Sequence, residues 1–472
     1  MRDIMQINAL TQSPLQNEIV FVFDNDNSTI TTIQTALTQG LFKAKVANTY
    51  FSVDNGKNYL AVGLGEKDKL NTNALRKAVG ALYKQLKSFN IDRFAVDTKL
   101  IGDNHIRTFV EALINAAYIF DQLKSEKETF KLTQVDIVTQ SASEVANEIH
   151  IAQAVAHGQN YAKDLKNFPA NICTTDYLLN EAKKLMDSSE HGTLHYIGED
   201  EMHKLGMGCI TAVGRGSSMP SYIACMEYRA SSNKDDKPIV LVGKGLVYDT
   251  GGLCLKPWQS MGSMKMDMGG AAAVFGTMKA IVELKLPINI IGAVALVENS
   301  IDGDSYRPGD VLTSMKGITV EIGNTDAEGR LALCDTLTYI ERYDPKVVID
   351  IATLTGAMVI SLGGDITGLF GNNDALVNDI KLAAEESHDH AWHMPLHQAY
   401  HEQLKSEIAD VYNIGGPAAG SITAALFLSK FTEKYTWAHL DVAGSAMKGF
   451  EKATATGRPV PMLTQYIINQ TK

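Results

Sequence analysis

Two hydrophobic rhythms alternate along the chain. The runs EIVFVFD (18–24) and YLAVGLG (59–65) read as strands, while ALRKAVGALYKQLKSF (74–89) and IRTFVEALINAAYIFDQLKS (106–125) repeat apolar residues at helical spacing. They predict one α/β unit. A long helical pattern, EVANEIHIAQAVAHGQNYAKDLKN (144–167), then runs into the breaker FPAN at 168–171. Beyond it, PIVLVGKG (238–245), INIIGAVALVEN (288–299) and KVVIDIATLTG (346–356) are near-continuous apolar runs, the mark of strands buried on both faces. AAAVFGTMKAIVEL (271–284) and RLALCDTLTYIERY (330–343) supply covering helices.

Length agrees with two cores. The chain has 472 residues, and single cores stop growing near roughly 250–300. The pattern therefore predicts a smaller α/β domain over 1–155 and a larger α/β domain over 156–472. In open α/β sheets ligands sit beyond the carboxyl ends of strands, so the loops after the three apolar runs are where chemistry is expected.

Composition removes several alternatives. A net charge of -11 makes nucleic acid and anionic lipid poor partners. The amino-terminal MRDIMQINALTQS lacks the apolar core of a signal peptide, and the run at 290–297 is too short to span a bilayer, so a cytoplasmic protein without membrane contact is expected. Five cysteines without a C-x-x-C pair suggest neither a disulfide framework nor a thiolate zinc site. Cys254 and Cys334 read as core residues.

Charges gather in the expected loops. GKGLVYDTGGLCLKP (243–257) carries Lys244, Asp249 and Lys256, KMDMGGAA (265–272) sets Asp267 at a helix start, and NTDAEGRL (324–331) packs Asp326, Glu328 and Arg330 into five residues. Were the four carboxylates to converge they would repel one another, unless cations neutralised them. Carboxylate oxygens suit zinc, manganese or magnesium, and four are enough for two ions. Acidic residues in such loops also serve as caps and turn formers, Asp267 among them. His388, His390, His393, His397 and His401 cluster too, the last three spaced four apart, although Pro395 interrupts a helix there.

The segments VGKGLVYDTGG, SMKMDMGGAAAV, NTDAEGRLALCD and IATLTGA, in this order and spacing, resemble the cytosolic leucyl aminopeptidase family of dinuclear metallopeptidases. NTDAEGRL is that family's signature. NFPANICT, PLHQAYHEQLKSEIADVYN and WAHLDVAGSA extend the resemblance from about residue 162 to the carboxyl terminus; the first 150 residues match loosely. The resemblance implies a catalytic domain with a mixed central sheet flanked by helices, and a homohexamer acting on peptides. It implies that Lys244, Asp249, Asp267 and Glu328 bind one divalent ion and Asp249, Asp326 and Glu328 the other, Zn²⁺ or Mn²⁺ with Mg²⁺ as a third candidate. Lys256 would stabilise the oxyanion, and Arg330 would hold a bicarbonate that accepts the proton of the attacking water. Met264, Thr353, Leu354, Gly356 and Ala446 would line a pocket for an apolar first residue such as leucine or methionine. Beside an acid, Lys244 is more commonly a salt-bridge partner than a ligand, since coordination requires loss of its proton. Tyr248, Thr250 and Trp258 depart from the family pattern without removing a proposed ligand. The rival reading is a nucleic-acid-binding or regulatory protein on a retained peptidase scaffold, against which the net charge counts; an inactive peptide-binding paralogue is a second.

Overall fold

The computed structural model describes residues 5–99, 101–233, 235–449 and 453–471. The chain divides into two compact units, Met1–Ala156 and His157–Lys472.

In the first unit the two strand-like runs become β2 (Asn17–Phe23) and β4 (Lys57–Gly65), and four strands beyond those runs join them: β1 (Gln6–Leu10), β3 (Thr49–Asp54), β5 (Arg93–Asp97) and β6 (Gln134–Val138). They form one sheet of order β1-β6-β5-β2-β4-β3, parallel except for the edge pair β3/β4. Helices α1 (Thr31–Thr38), α2 (Thr72–Ser88) and α3 (Ile106–Ala116) connect the strands. Asn71 starts α2 by accepting the Ala74 N–H, and the apolar stripe of α2 packs with Phe94, Phe109 and Val135 in a core closed to water. The helical spacing read over 106–125 holds only to Ala116. Beyond it Tyr118, Ile119 and Phe120 are contiguous in sequence and cannot share one helix face, and the chain leaves the helix.

Helix α4 (Ala142–Asn167) is continuous and ends where FPAN begins. The strands of the second unit's main sheet are β7 (Gly192–Gly198), β8 (Tyr222–Arg229), β9 (Ile239–Asp249), β10 (Asn289–Asn299), β11 (Val347–Ala352), β12 (Thr367–Gly371), β13 (Ala391–His393) and β14 (Trp437–Asp441). Their order is β13-β12-β14-β11-β9-β10-β8-β7. The central four, β14, β11, β9 and β10, are parallel, and antiparallel pairs flank them, so the sheet is mixed as expected.

The two expected helices, α5 (Gly269–Leu284) and α6 (Gly329–Tyr339), cover opposite faces of β9. Val240 and Val242 join the α6 core through Leu331 and Ala332. Gly243 turns toward α5, where a Cβ would lie 2.7 Å from the Ala271 Cα. Among the described residues no helix is long and apolar enough to cross a membrane.

Candidate metal centre

The carboxyl ends of the central strands supply the acidic groups. Asp249 closes β9 beside Asn299, which closes β10. Asn299 Nδ2 donates to Asp249 Oδ1 at 2.8 Å and to the Thr325 carbonyl at 3.1 Å. The same Asp249 oxygen accepts the Gly251 N–H at 2.9 Å. Gly251 and Gly252 take φ of 87° and 62°, left-handed values that let the loop double back. Thr325 Oγ1 donates to the Gly251 carbonyl at 2.6 Å and accepts the Cys254 N–H at 2.8 Å, stitching loop 249–256 to the turn 324–328.

That turn is rigid for the reason its small polar residues suggest. Asn324 Oδ1 accepts the Asp326 N–H at 2.8 Å, and Asn413 Nδ2 donates to the Asn324 carbonyl at 2.8 Å. Glu328 occupies the N-cap position of α6, and Arg330 lies in its first turn. Asp267 follows a 3-10 turn over Met264–Met266. It does not cap α5: the N-cap position belongs to Met268 and lacks a side-chain cap, while Asp267 Oδ1 accepts the Thr353 hydroxyl at 2.7 Å. Gly270 permits this approach, since a Cβ there would lie 1.9 Å from the Ile351 carbonyl oxygen.

Two lysines stand among the carboxylates. Lys244 Nζ lies 2.8 Å from Asp267 Oδ2, 2.8 Å from Glu328 Oε1 and 3.1 Å from the Thr353 carbonyl. Lys256 Nζ lies 2.8 Å from Asp249 Oδ2 and pairs with Asp326 Oδ1. Asp249, Asp326 and Glu328 each offer an oxygen within 4.8 Å of the others. Lys244 is ion-paired with both Asp267 and Glu328.

Four carboxylates outnumber two ammonium groups, and the imbalance shows in their acidities. Burial, reinforced by Glu328 and Asp249, pushes Asp267 up to about 7; burial and the neighbouring Asp249 push Asp326 up to about 6. Asp249 is also raised, by burial and by Glu328. Burial acts to raise Glu328 as well, but Lys244 and Lys256 outweigh it and hold it below the usual range. For both lysines, burial opposes the charge and the surrounding carboxylates overcome it, raising them. Asp267 Oδ2 and Asp326 Oδ1 are buried and lack a hydrogen-bond partner in good geometry. An oxygen-rich cluster in which four buried carboxylates share two ammonium groups fits hard or borderline divalent cations.

Arg330 is buried. Its Nη1 donates to the Asn413 carbonyl at 2.8 Å, its Nε has no partner, and burial pulls it down to about 10. A buried guanidinium with an unused donor suits a small oxyanion.

The substrate-pocket candidates are held unequally. Thr353 is buried against Asp267, and Leu354 is half-buried with its N–H on Asp441 Oδ1 at 3.2 Å. Ala446 is buried, and its carbonyl accepts Lys166 Nζ at 2.8 Å. Lys166 in turn abuts Gly269, where a Cβ would lie 2.8 Å from Nζ and 2.9 Å from Thr353 Cγ2, so Thr353 and Ala446 share one neighbourhood. Met264 is half-buried three residues before Asp267, and Gly356 is exposed at the start of α7 (Gly356–Leu362).

Sequence reasoning missed the residues that hold these groups in place. Asn299 and Asn413 orient the acidic loops, and Asp441, fully buried, also accepts the Thr355 hydroxyl at 2.7 Å. Lys166, pulled down to about 7 by burial, carried no signal beyond its place in a helix. Tyr248, Thr250 and Trp258 do not disturb the cluster: the first two hydrogen-bond to the Met261 and Asn299 carbonyls, and Trp258 is 78% exposed. The histidines do not form a helical ligand set. His393 ends β13, His397 precedes a 3-10 helix that contains His401, and no histidine joins a metal-ligand group among the described residues. A second group, Cys209, Cys334 and Asp335, has ligand spacing, but the Asp335 carboxylate already accepts the N–H groups of Cys209, Ile210 and Met315.

Comparison with known proteins gives the family. The profile "Cytosol aminopeptidase family, catalytic domain" matches residues 160–464, and "Cytosol aminopeptidase family, N-terminal domain" matches residues 19–127. A probable cytosol aminopeptidase of Pasteurella multocida is 47% identical over 424 residues, covering 88% of this chain and 86% of the relative. The cytosol aminopeptidase of Haemophilus influenzae strain Rd is 45% identical over 444 residues, 92% of this chain and 90% of the relative. A probable cytosol aminopeptidase of Pseudomonas syringae pv. tomato is 47% identical over 424 residues, 87% and 85% of the two chains. The chain belongs to the cytosol aminopeptidase family.

Proposed function

We propose that this aminopeptidase removes an apolar amino-terminal residue, leucine or methionine foremost, by a two-metal mechanism with bicarbonate as proton acceptor. The observation that carries the reading is the buried surplus of carboxylate at Asp249, Asp267, Asp326 and Glu328. Two divalent ions, one on Lys244, Asp249, Asp267 and Glu328 and one on Asp249, Asp326 and Glu328, would supply a lowered water pKa and a polarised scissile carbonyl. As a ligand Lys244 would be the neutral amine, the proton it shares with Asp267 and Glu328 being released to solvent when the ion binds.

The other roles belong to side chains that remain charged. Lys256, which pairs with Asp249 and Asp326, would present its ammonium to the developing oxyanion once those acids hold metal. Arg330, with its unused Nε donor, would hold bicarbonate, since with all four carboxylates serving as ligands none would be left as a base. Met264, Thr353, Leu354, Gly356 and Ala446 receive the first side chain. A pocket of methyl and methylene groups discriminates by about 1–3 kcal/mol per methylene, so the specificity is broad. Family membership and five unpaired cysteines support a cytoplasmic location and a homohexamer follows the resemblance.

The test is hydrolysis of leucine amide and of a leucyl dipeptide before chelation, after it, and after re-addition of Mn²⁺ or Zn²⁺, with Asp326→Asn as control. Activity that vanishes on chelation, returns with metal and fails in the variant supports the reading. Equal activity throughout rejects it.

A further inference from the structure

The first unit holds a cavity of about 740 Å³ lined wholly by its own residues. That volume is typical of small-molecule sites. Its position follows from topology. The chain leaving β2 passes through α1 to β3 and β4 on one side of the sheet order, whereas the chain leaving the adjacent β5 passes through α3 to β6 on the other. Loops that diverge between neighbouring parallel strands leave a crevice beyond the carboxyl ends, where ligands of open α/β sheets bind.

Much of the wall comes from that end of the sheet, with Ser13 after β1, Asp26 and Ser28 after β2, and Asp97 and Lys99 at the end of β5; Glu18 and Lys57, at the starts of β2 and β4, complete the charged lining. Backbone groups of these loops are tied down. Gln34 Oε1 accepts the Ser28 N–H at 2.7 Å, Ser28 Oγ accepts the Ile30 N–H at 3.1 Å, and Asp97 Oδ1 accepts the Lys99 N–H at 2.8 Å. The charged tips are not. Among the described residues the half-buried Asp26 carboxylate and the solvent-exposed Lys99 ammonium have no ion-pair or hydrogen-bond partner, while the other lysine of the lining, Lys57, is neutralised by Glu18. The same lining carries an apolar surface, with Val20, Val22, Ala95 and Val138.

We propose that this cavity is a binding site for a small zwitterion, an apolar amino acid or dipeptide, held by its ammonium at Asp26 and its carboxylate at Lys99 with its side chain on the strand floor. An unpaired acid, an unpaired base and an apolar surface in one cavity are the complement of that ligand class. The assignment rests on the lining of the first unit and is independent of the metal chemistry; with the proposed activity, the ligand is the reaction's product or substrate, bound away from the catalytic residues.

Titration calorimetry on the full chain stripped of metal by chelation tests this, because peptide is then not consumed and the metal centre cannot hold an amine. The probes are L-leucine and leucyl-glycine, with leucine amide, N-acetyl-leucine and adenosine as comparisons. One site is expected for leucine or leucyl-glycine, the tighter of the two marking the natural ligand. Affinity should fall at least tenfold in Asp26→Asn and in Lys99→Met, and for leucine amide and N-acetyl-leucine on the unaltered chain. Absence of binding by both zwitterions, binding that survives both substitutions, tighter binding of adenosine, or binding abolished by Asp326→Asn would each overturn the proposal. None of these outcomes bears on hydrolysis by the metal-loaded enzyme.

Discussion

Gly329→Ala strikes the centre without touching a charged group. Gly329 opens α6 directly beneath Lys244, and a Cβ there would lie 2.5 Å from Lys244 Cε, 2.6 Å from Nζ and 2.8 Å from Cδ. Ordinary carbon contacts begin near ~3.5 Å, so the lysine must retreat by about 1 Å. It has little room, being 3% exposed and fixed between Asp267 and Glu328. Alanine recovers up to ~1 kcal/mol of helix propensity, against an overpacking cost of about 1–3 kcal/mol. Stability should therefore change little or fall modestly. Activity is the sensitive quantity, since a displacement of ~1 Å in a positioned group costs on the order of 100-fold. Steady-state kinetics on leucine amide, thermal unfolding and metal analysis of the purified variant separate the two effects. The expected result is a fall in kcat/KM of about 100-fold with a small change in Tm. A variant with unaltered kcat/KM would refute the claim that the position of Lys244 matters.

Lys256→Met should lower kcat by about 100- to 1000-fold, the loss typical of an oxyanion donor, while metal content is retained; steady-state kinetics with metal analysis reads both. Metal affinity of the chelated protein should weaken as pH falls from about 7 to 6: Asp267 and Asp326, raised to about 7 and about 6, gain protons there that a cation must displace. Calorimetry of Mn²⁺ binding across that window, in buffers of different ionisation enthalpy, should show proton release that grows toward the lower pH. Thr355→Ala removes the hydroxyl that accepts the Met358 N–H at the start of α7 and donates to Asp441. It should cost about 1 kcal/mol in unfolding free energy and raise KM for leucine amide, because Thr353 and Leu354 precede it in the same loop.

Much of this architecture was written in hydrophobic period. The apolar runs at 238–245, 288–299 and 346–356 became the central parallel strands β9, β10 and β11, because a strand covered on both faces needs no polar alternation. The acidic loops were legible for the opposite reason: charges beside glycines, next to buried strands, are costly without a partner. What period could not reveal was tertiary support. Asn299, Asn413 and Asp441 look ordinary in sequence, and their importance lies in which loops they reach across 26 to 89 residues of chain. Asp267 shows the limit of a local rule, since its place before a helix invites capping while its carboxylate is taken by Thr353, distant in sequence. The histidines at 393, 397 and 401 fail likewise: a spacing of four brings side chains together only on a helix, and Pro395 lies between a strand and a 3-10 turn.

The central claim is that the acidic cluster exists to hold a pair of cations. Elemental analysis of the purified chain, equilibrated with Zn²⁺ or Mn²⁺ and freed of excess by gel filtration, tests it directly. Two ions per chain in the unaltered protein, with loss of one or both in Asp326→Asn, is the predicted result. A chain that retains none, or an Asp326→Asn variant that retains two, would contradict it.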